Sequence, residues 1–335
     1  MATFDFSKIE PYKPKRHHFE PDFLLSDDQN AALKSICTAL HDDEALVTLG
    51  GYAGSGKSTL IPFIMEEMGD LDSTAFCCYT GKAANVLRSK LRAAGMEGEA
   101  GYIGTTHGLL YKPHTDEKGN VKFVRRTPMD LGECTIRRVV IDEVSMVGAK
   151  LMQDLLAFGI QILAVGDPAQ LPPIGDDSVI KRPDFLLSKI HRQAQDNPII
   201  QLAAHIRETG QMPKVKDSEH IRHISYEEAD PIITRMIEAN PMECAILART
   251  NKARTFFNQQ LYGKTPEPGH TIVCLKNDIR EGIVNGMRGT VMSRGEFNPK
   301  ENWFSIQVHF PAEGRTKFFH TTNVHQFGRE KKLDL

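Results

Sequence analysis

The octet Gly51-Tyr52-Ala53-Gly54-Ser55-Gly56-Lys57-Ser58 has the residue types and spacing to hold a polyphosphate. It fits G-x-x-x-x-G-K-[ST], where glycines turn backbone N–H groups toward the anion, the lysine reaches the β- and γ-phosphates, and the last hydroxyl holds Mg2+. Gly51, Gly54, Ser55, Gly56, Lys57, Ser58 and Thr59 are therefore the candidate nucleotide contacts, with Ser58 also a metal ligand and ATP with Mg2+ the implied occupant. Three further residues complete a hydrolytic set. Asp142 is placed to hold Mg2+ and Glu143 to polarise an attacking water, both at the end of the run Arg137-Arg138-Val139-Val140-Ile141. Gln170, inside Gly166-Asp167-Pro168-Ala169-Gln170-Leu171-Pro172-Pro173-Ile174, has an amide that both donates to a γ-phosphate and accepts from water.

These side chains need rigid supports, and the flanking residues supply them. Ala45 to Leu49 is apolar and β-prone, and Thr59 to Met65 fits a helix in which Pro62 is tolerable only in the first turn. Val139 to Ile141 is continuously apolar, as in a buried parallel sheet. Its carboxylates fall at the C-terminal edge, where open α/β sheets bind ligands. Strands near Ala45, Ser73, Arg137 and Gln161, alternating with helices, predict an α/β domain over residues 24–180. Within it, Leu109 to Arg126 reads as a hairpin insertion turning at Asp116-Glu117-Lys118-Gly119-Asn120, the insertion as a whole reaching to about residue 134. Residues 181–265 start a second domain, with Cys244 to Ala248 as a core strand. Residues 266–335 carry short β runs (Thr271 to Leu275, Gly289 to Met292, Trp303 to Phe310, Lys317 to Thr321) and a tight turn at Asn285-Gly286, which reads as a small barrel-like β insertion with Trp303 in its packing. Residues 1–23 form a polar arm.

Composition narrows the class. At 335 residues, 40% hydrophobic and 25% charged, the chain has the profile of a soluble globular protein with room for two domains. It has no apolar stretch long enough to span a membrane and no apolar signal core at its start. The six cysteines include no C-x-x-C pair, which argues against a zinc site or a disulfide framework and for the cytoplasm. A formal net charge of −2 neither supports nor excludes nucleic acid as a partner.

Together GYAGSGKS, VVIDEVSM and GDPAQLPPI resemble motifs I, II and III of superfamily 1 helicases, in the RecD-like and Dda-like branch that includes many phage helicases. The resemblance implies a P-loop NTPase fold with two RecA-like motor domains, the second incomplete here. Leu25 to Ile36 is similar to the family's opening segment, in which Gln29 would read adenine. The segment from Thr80 resembles motif Ia and that from Thr105 motif Ib, implying DNA contacts by Thr80, Lys82, Thr105, Thr106 and His107. Leu187 to Gly210 resembles motif IV, whose Arg192 would join Lys57 and Gln170 on the γ-phosphate. Ile246 to Leu261 resembles a later segment, with Asn251 as a DNA contact and Asn258 also in place. The hairpin would be the wedge that splits a duplex.

The implied function is an ATP-dependent DNA helicase or translocase moving 5′ to 3′ on single-stranded DNA. It would act at duplex junctions in replication, recombination or repair, as a monomer in the cytoplasm (the host's, if phage-encoded). The same residue types serve as helix caps and surface groups in many proteins. Two other readings therefore stand beside this one: a different P-loop ATPase, such as a kinase or packaging motor, and a catalytically weak, ATP-binding accessory subunit for single strands. The second gains weight because no T-x-H-K-x-Q-G segment and no late Tyr-x-x-x-T-R segment follows residue 260. Motifs V and VI thus lack counterparts. On that basis residues 1–335 alone are expected to bind ATP, hydrolyse it slowly and unwind poorly, as either a truncated or split product whose missing motifs a second chain supplies or a fragment of a longer helicase.

Overall fold

The structure, a computed structural model, describes residues 24–115, 121–127, 136–173, 175–188, 197–214, 220–239, 243–263, 265–274, 282–283, 286–296, 298 and 304–321. Internal contacts divide the chain into two units, Met1–Lys214 and Val215–Leu335.

In the first unit the elements run α1 (Asp27–His41), β1 (Leu46–Gly51), α2 (Lys57–Met68), β2 (Thr74–Cys78), α3 (Gly81–Ala93), β3 (Tyr102–Thr105), α4 (Thr106–Leu110), β4 (Tyr111–Thr115), β5 (Val121–Arg125), β6 (Arg138–Asp142), α5 (Ala149–Leu156), β7 (Gln161–Gly166), β8 (Phe185–Leu187) and α6 (Pro198–Thr209). Six strands form one parallel sheet in the order β3-β2-β6-β7-β1-β8. Successive side chains of a strand point to opposite faces. Phe76, Cys78, Val140 and Leu163 accordingly pack on one side with Ile36 and Leu40 of α1, Leu60 and Ile64 of α2 and Leu87 and Leu91 of α3. Ala75, Cys77, Val139, Ile141 and Ala164 pack on the other with Leu110 of α4 and Leu151 and Leu155 of α5. Both faces are covered, which is why the strand interiors read as largely apolar runs.

Three sequence expectations change. The first unit continues past residue 180, because β8 pairs with β1. Asp184, just before β8, accepts from the Thr48 amide at 2.8 Å and the Thr48 hydroxyl at 2.6 Å, and its own amide donates to that hydroxyl at 2.7 Å. The approach depends on Gly50, where a Cβ would collide with the Pro183 ring and the Leu186 side chain. Second, Pro62 lies inside α2, past its first turn, where it removes one helical hydrogen bond. It is buried with Leu60, Ile61 and Ile64, so tertiary packing overrides the local preference. Third, residues 244–248 form no strand; Leu247 is 96% exposed, and no described strand runs beside the segment to complete a ladder.

An ion pair between buried Arg138 and half-buried Asp70 braces the sheet at the end away from the phosphate loop. Arg138 opens β6 with a side chain 7% exposed, donates to both Asp70 carboxylate oxygens at 2.5 Å and reaches Gln161 Oε1 at 2.8 Å. Removing one partner of such a pair leaves an uncompensated buried charge. Asp70→Ala should therefore destabilise the protein by about 3–5 kcal/mol, visible as a lower thermal midpoint. A midpoint within a degree of the parent would refute the role.

The second unit contains α7 (Tyr226–Ala239) and α8 (Asn251–Tyr262), followed by β9 (Thr271–Val273), β10 (Arg288–Arg294), β11 (Phe304–Phe310) and β12 (Arg315–Thr321). The strands form an antiparallel sheet in the order β12-β11-β10-β9, with a bulge between Val291 and Ser293. Its core is Ile283, Met287, Ile306, Val308 and Phe310. The four β runs expected after residue 266 are thus present, with β9 and β12 as the sheet's edges. Trp303 and Asn285 lie outside the described residues. Among the described residues, no helix is long and apolar enough to cross a membrane.

Candidate nucleotide site

The phosphate loop joins the last residue of β1, Gly51, to the first of α2, Lys57. Gly54 and Gly56 adopt φ of 80° and 82°, the left-handed region that lets successive N–H groups point inward. Gly51 must lack a Cβ for a different reason: that atom would lie 2.5 Å from Ser55 Oγ and 2.8 Å from the Lys57 side chain. The Lys57 ammonium donates to the carbonyls of Gly51 at 2.5 Å and Tyr52 at 3.1 Å. Burial pushes its pKa below the usual lysine value, while Asp167, Glu143 and Asp142 pull the other way. Arriving phosphates would add to that pull. Ser55 Oγ is buried without a hydrogen-bond partner, a hydroxyl facing no protein acceptor. Ser58 and Thr59 sit in the first turn of α2, at the positive end of its dipole.

Gln29 is 3% exposed and touches this loop. Its Nε2 donates to the Ser55 carbonyl at 3.2 Å, and its Oε1 accepts from the Ser26 amide at 3.0 Å. The Ser26 and Gln29 pair is a capping box for α1, a pattern visible in the sequence but unused in reading it. A second contact left no sequence signal: the Arg207 guanidinium of α6 lies 3.7 Å over the Tyr52 ring.

Asp142 ends β6, is 5% exposed, and accepts the Glu143 amide at 3.0 Å. Glu143 itself is left-handed, with φ 56° and ψ 44°, a conformation uncommon for a non-glycine residue. Gln170, just beyond β7, bridges the neighbouring motif. Its Nε2 donates to Glu143 Oε2 at 3.4 Å and its Oε1 accepts from Ser145 Oγ at 2.8 Å. Ser145, one turn past the carboxylates, thus fixes which way the Gln170 amide faces. Asp167 is buried and accepts from the Ala169 amide at 2.9 Å, holding the start of that turn.

These residues fit ATP with Mg2+. The loop supplies glycines in the conformation that opens it, a half-buried ammonium and an unpaired hydroxyl, with Asp142 and Glu143 at the C-terminal end of β6. Ser58 and Asp142 would hold the ion. Among the described residues no group of three or more His, Cys, Asp or Glu side chains could hold a metal ion. Arg192 lies outside the described residues.

The residues expected to touch DNA divide into supports and surface. Thr80 caps α3 by accepting from Ala83 N, and Thr105 caps α4 by accepting from Gly108 N. Thr106 is a correction: it is fully buried and donates to the Cys78 carbonyl at 3.3 Å, so its side chain is structural. Lys82 and His107 are exposed. His107 stands between two tyrosine rings, with centroids 5.7 Å from both Tyr79 and Tyr111. Tyr79, 37% exposed, had not been singled out in the sequence. On the hairpin of β4 and β5, Phe123 is 73% exposed and pairs in register with Pro113. Asn251 is the exposed first residue of α8, whose cap is Thr250, and Asn258 is exposed on the same helix.

Residues 24–226 match the family model described as AAA domain. The chain is 29% identical over 297 residues to the ATP-dependent RecD2 DNA helicase of Deinococcus radiodurans, a match covering 80% of this chain and 38% of that protein. It is 31% identical over 196 residues to the ATP-dependent DNA helicase dda of Enterobacteria phage T4, covering 55% and 42% respectively. The matches thus span about two fifths of the length of these curated relatives. A solved Pif1 helicase, from work on DNA unwinding at forked duplexes by two coordinating copies, superposes with a TM-score of 0.51 at 20% identity, over 89% of this chain and 76% of that one. At that identity the likeness speaks for the fold.

Proposed function

The chain belongs to the AAA domain family, among the superfamily 1 helicases of the RecD/Dda/Pif1 type, and from that premise we propose that it couples ATP hydrolysis to movement along single-stranded DNA and to strand separation at duplex junctions. The observation that carries this reading is the Ser145–Gln170–Glu143 chain of hydrogen bonds. It holds a neutral amide against Glu143, the proposed base, where loss of a γ-phosphate would be felt by two strand ends at once. In this proposal Lys57 and Ser55 bind phosphate oxygens, Glu143 orients and deprotonates the attacking water, and Gln170 positions it. Arg192 adds positive charge at the γ-phosphate, a contribution worth about 10³–10⁵ in rate where such an arginine acts. Bound Mg2+ would neutralise charge on the β- and γ-oxygens.

Lys82, His107 and Tyr79 offer a cation and stacking faces for a strand, and the hairpin offers Phe123 as a wedge. Such a surface tracks backbone and bases without reading sequence. Movement 5′ to 3′ and a cytoplasmic setting complete the proposal. Steady-state ATPase with and without single-stranded DNA tests it. Turnover, expected to be slow for residues 1–335 alone, should still rise measurably with DNA, and the stimulation should weaken steeply with added salt. ATP binding with no DNA stimulation would instead favour a different P-loop ATPase or an accessory subunit.

A further inference from the structure

The hairpin is fastened to the nucleotide half of the first unit through one carboxylate. Tyr111 and Arg125 are directly paired residues at the base of β4 and β5. Both reach Asp154 on α5: the Tyr111 hydroxyl donates to Oδ2 at 2.8 Å, and Arg125 Nη1 donates to Oδ1 at 2.9 Å. Each strand of the hairpin thus owns one oxygen of the same side chain. The Arg125 guanidinium also lies 5.5 Å over the ring of Phe158, just beyond α5, and the Arg126 amide closes the base on the Leu110 carbonyl at 2.7 Å. Hydrogen bonds from Tyr111 and then Arg125 hold the Asp154 carboxyl below the usual carboxylate range.

The placement of α5 gives this contact its meaning. The short turn Val144–Met146 follows Glu143 and carries Ser145, which holds Gln170; α5 begins three residues later. One stretch, residues 142–158, therefore bears the proposed metal ligand, the base, the support of the phosphate-sensing amide and the anchor of the hairpin. Tyr111 extends the link in the other direction, since its ring lies tilted beside His107, which meets Tyr79 edge-on.

We propose that Asp154 is a positioning residue that clamps the β4–β5 hairpin to α5, so that movement of the Glu143 turn during the ATP cycle is transmitted to the hairpin. What the hairpin does with that movement rests on the function proposed above; the clamp itself does not. Asp154→Ala should leave single-strand-stimulated ATPase within about twofold of the parent, while strand separation on a forked duplex falls about tenfold. Hydrogen exchange, followed by mass spectrometry on the full chain, should accelerate at least tenfold in peptides covering residues 111–125 and stay unchanged in those covering β1 and the phosphate loop. Asp154→Asn keeps an acceptor for Tyr111 but presents an N–H toward Arg125, so it should fall between parent and alanine. Arg125→Met should loosen the hairpin without touching α5, and keeps the test open if the alanine variant folds poorly. Unchanged exchange in the hairpin for all three variants would overturn the clamp. Equal loss of ATPase and strand separation would overturn the positioning role, leaving Asp154 a general structural residue. A parent protein without DNA-stimulated ATPase would sink the proposed function instead, and the exchange measurement would still decide the clamp.

Discussion

Lys57→Ala is expected to reduce ATP turnover to background while sparing binding of single-stranded DNA in the absence of nucleotide. The ammonium is held by two loop carbonyls, Gly51 and Tyr52, and sits among Asp167, Glu143 and Asp142. It is a cation among carboxylates, so its loss weakens the attraction for the phosphates and leaves those carboxylates to repel them. Losing one preorganised donor to developing charge typically costs about 10²–10³ in rate, and weaker ATP binding adds to that here. The folded state should survive, because the burial that lowers the lysine's pKa means its charge is held there against a desolvation penalty. Steady-state ATPase and fluorescence anisotropy on a labelled oligonucleotide check both halves. Residual turnover above a tenth of the parent would remove Lys57 from the phosphate-binding role.

Glu143→Gln should produce the opposite imbalance: ATP binds and stays. Glutamine keeps the length of the side chain and an oxygen to accept from Gln170, so the Ser145–Gln170 arrangement persists. What disappears is the charge that draws a proton from water. General-base catalysis is worth about 10²–10⁴, and single-turnover hydrolysis should fall by that factor with affinity for a fluorescent ATP analogue equal to or tighter than the parent's. A variant that hydrolyses within fivefold of the parent would move the base elsewhere, with Asp142 the nearest alternative.

The sequence was most legible where one residue type does one job. Glycines that must be left-handed, a lysine and two carboxylates at strand ends announced the phosphate loop and its partner strand, because no substitute satisfies the same geometry. The strands β1, β2, β6 and β7 were readable for a related reason: both faces are buried, so most of their interior positions are apolar. By contrast β3 and β8 are edge strands of four and three residues, and Tyr102-Ile103-Gly104-Thr105 carries no periodicity long enough to register. Pro62 misled because propensity is a local rule and α2 is set by packing.

The contacts between distant positions were the least readable. Tyr52 with Arg207, Thr48 with Asp184, and Tyr111 and Arg125 with Asp154 involve ordinary surface residue types, and only the fold brings them together. Thr106 shows the reverse error. A residue placed by motif at the strand surface is spent on holding α4 against β2.

Glu143 occupies a backbone shape that a glycine would take without strain. Holding a bulkier residue there typically costs about 1–3 kcal/mol. Relaxing the corner and keeping its reactivity are therefore incompatible demands at one residue. A homologue-free search for heat-hardened variants would drift toward the relaxed form and select proteins that endure but no longer turn over, so such a screen has to be run on activity rather than on endurance.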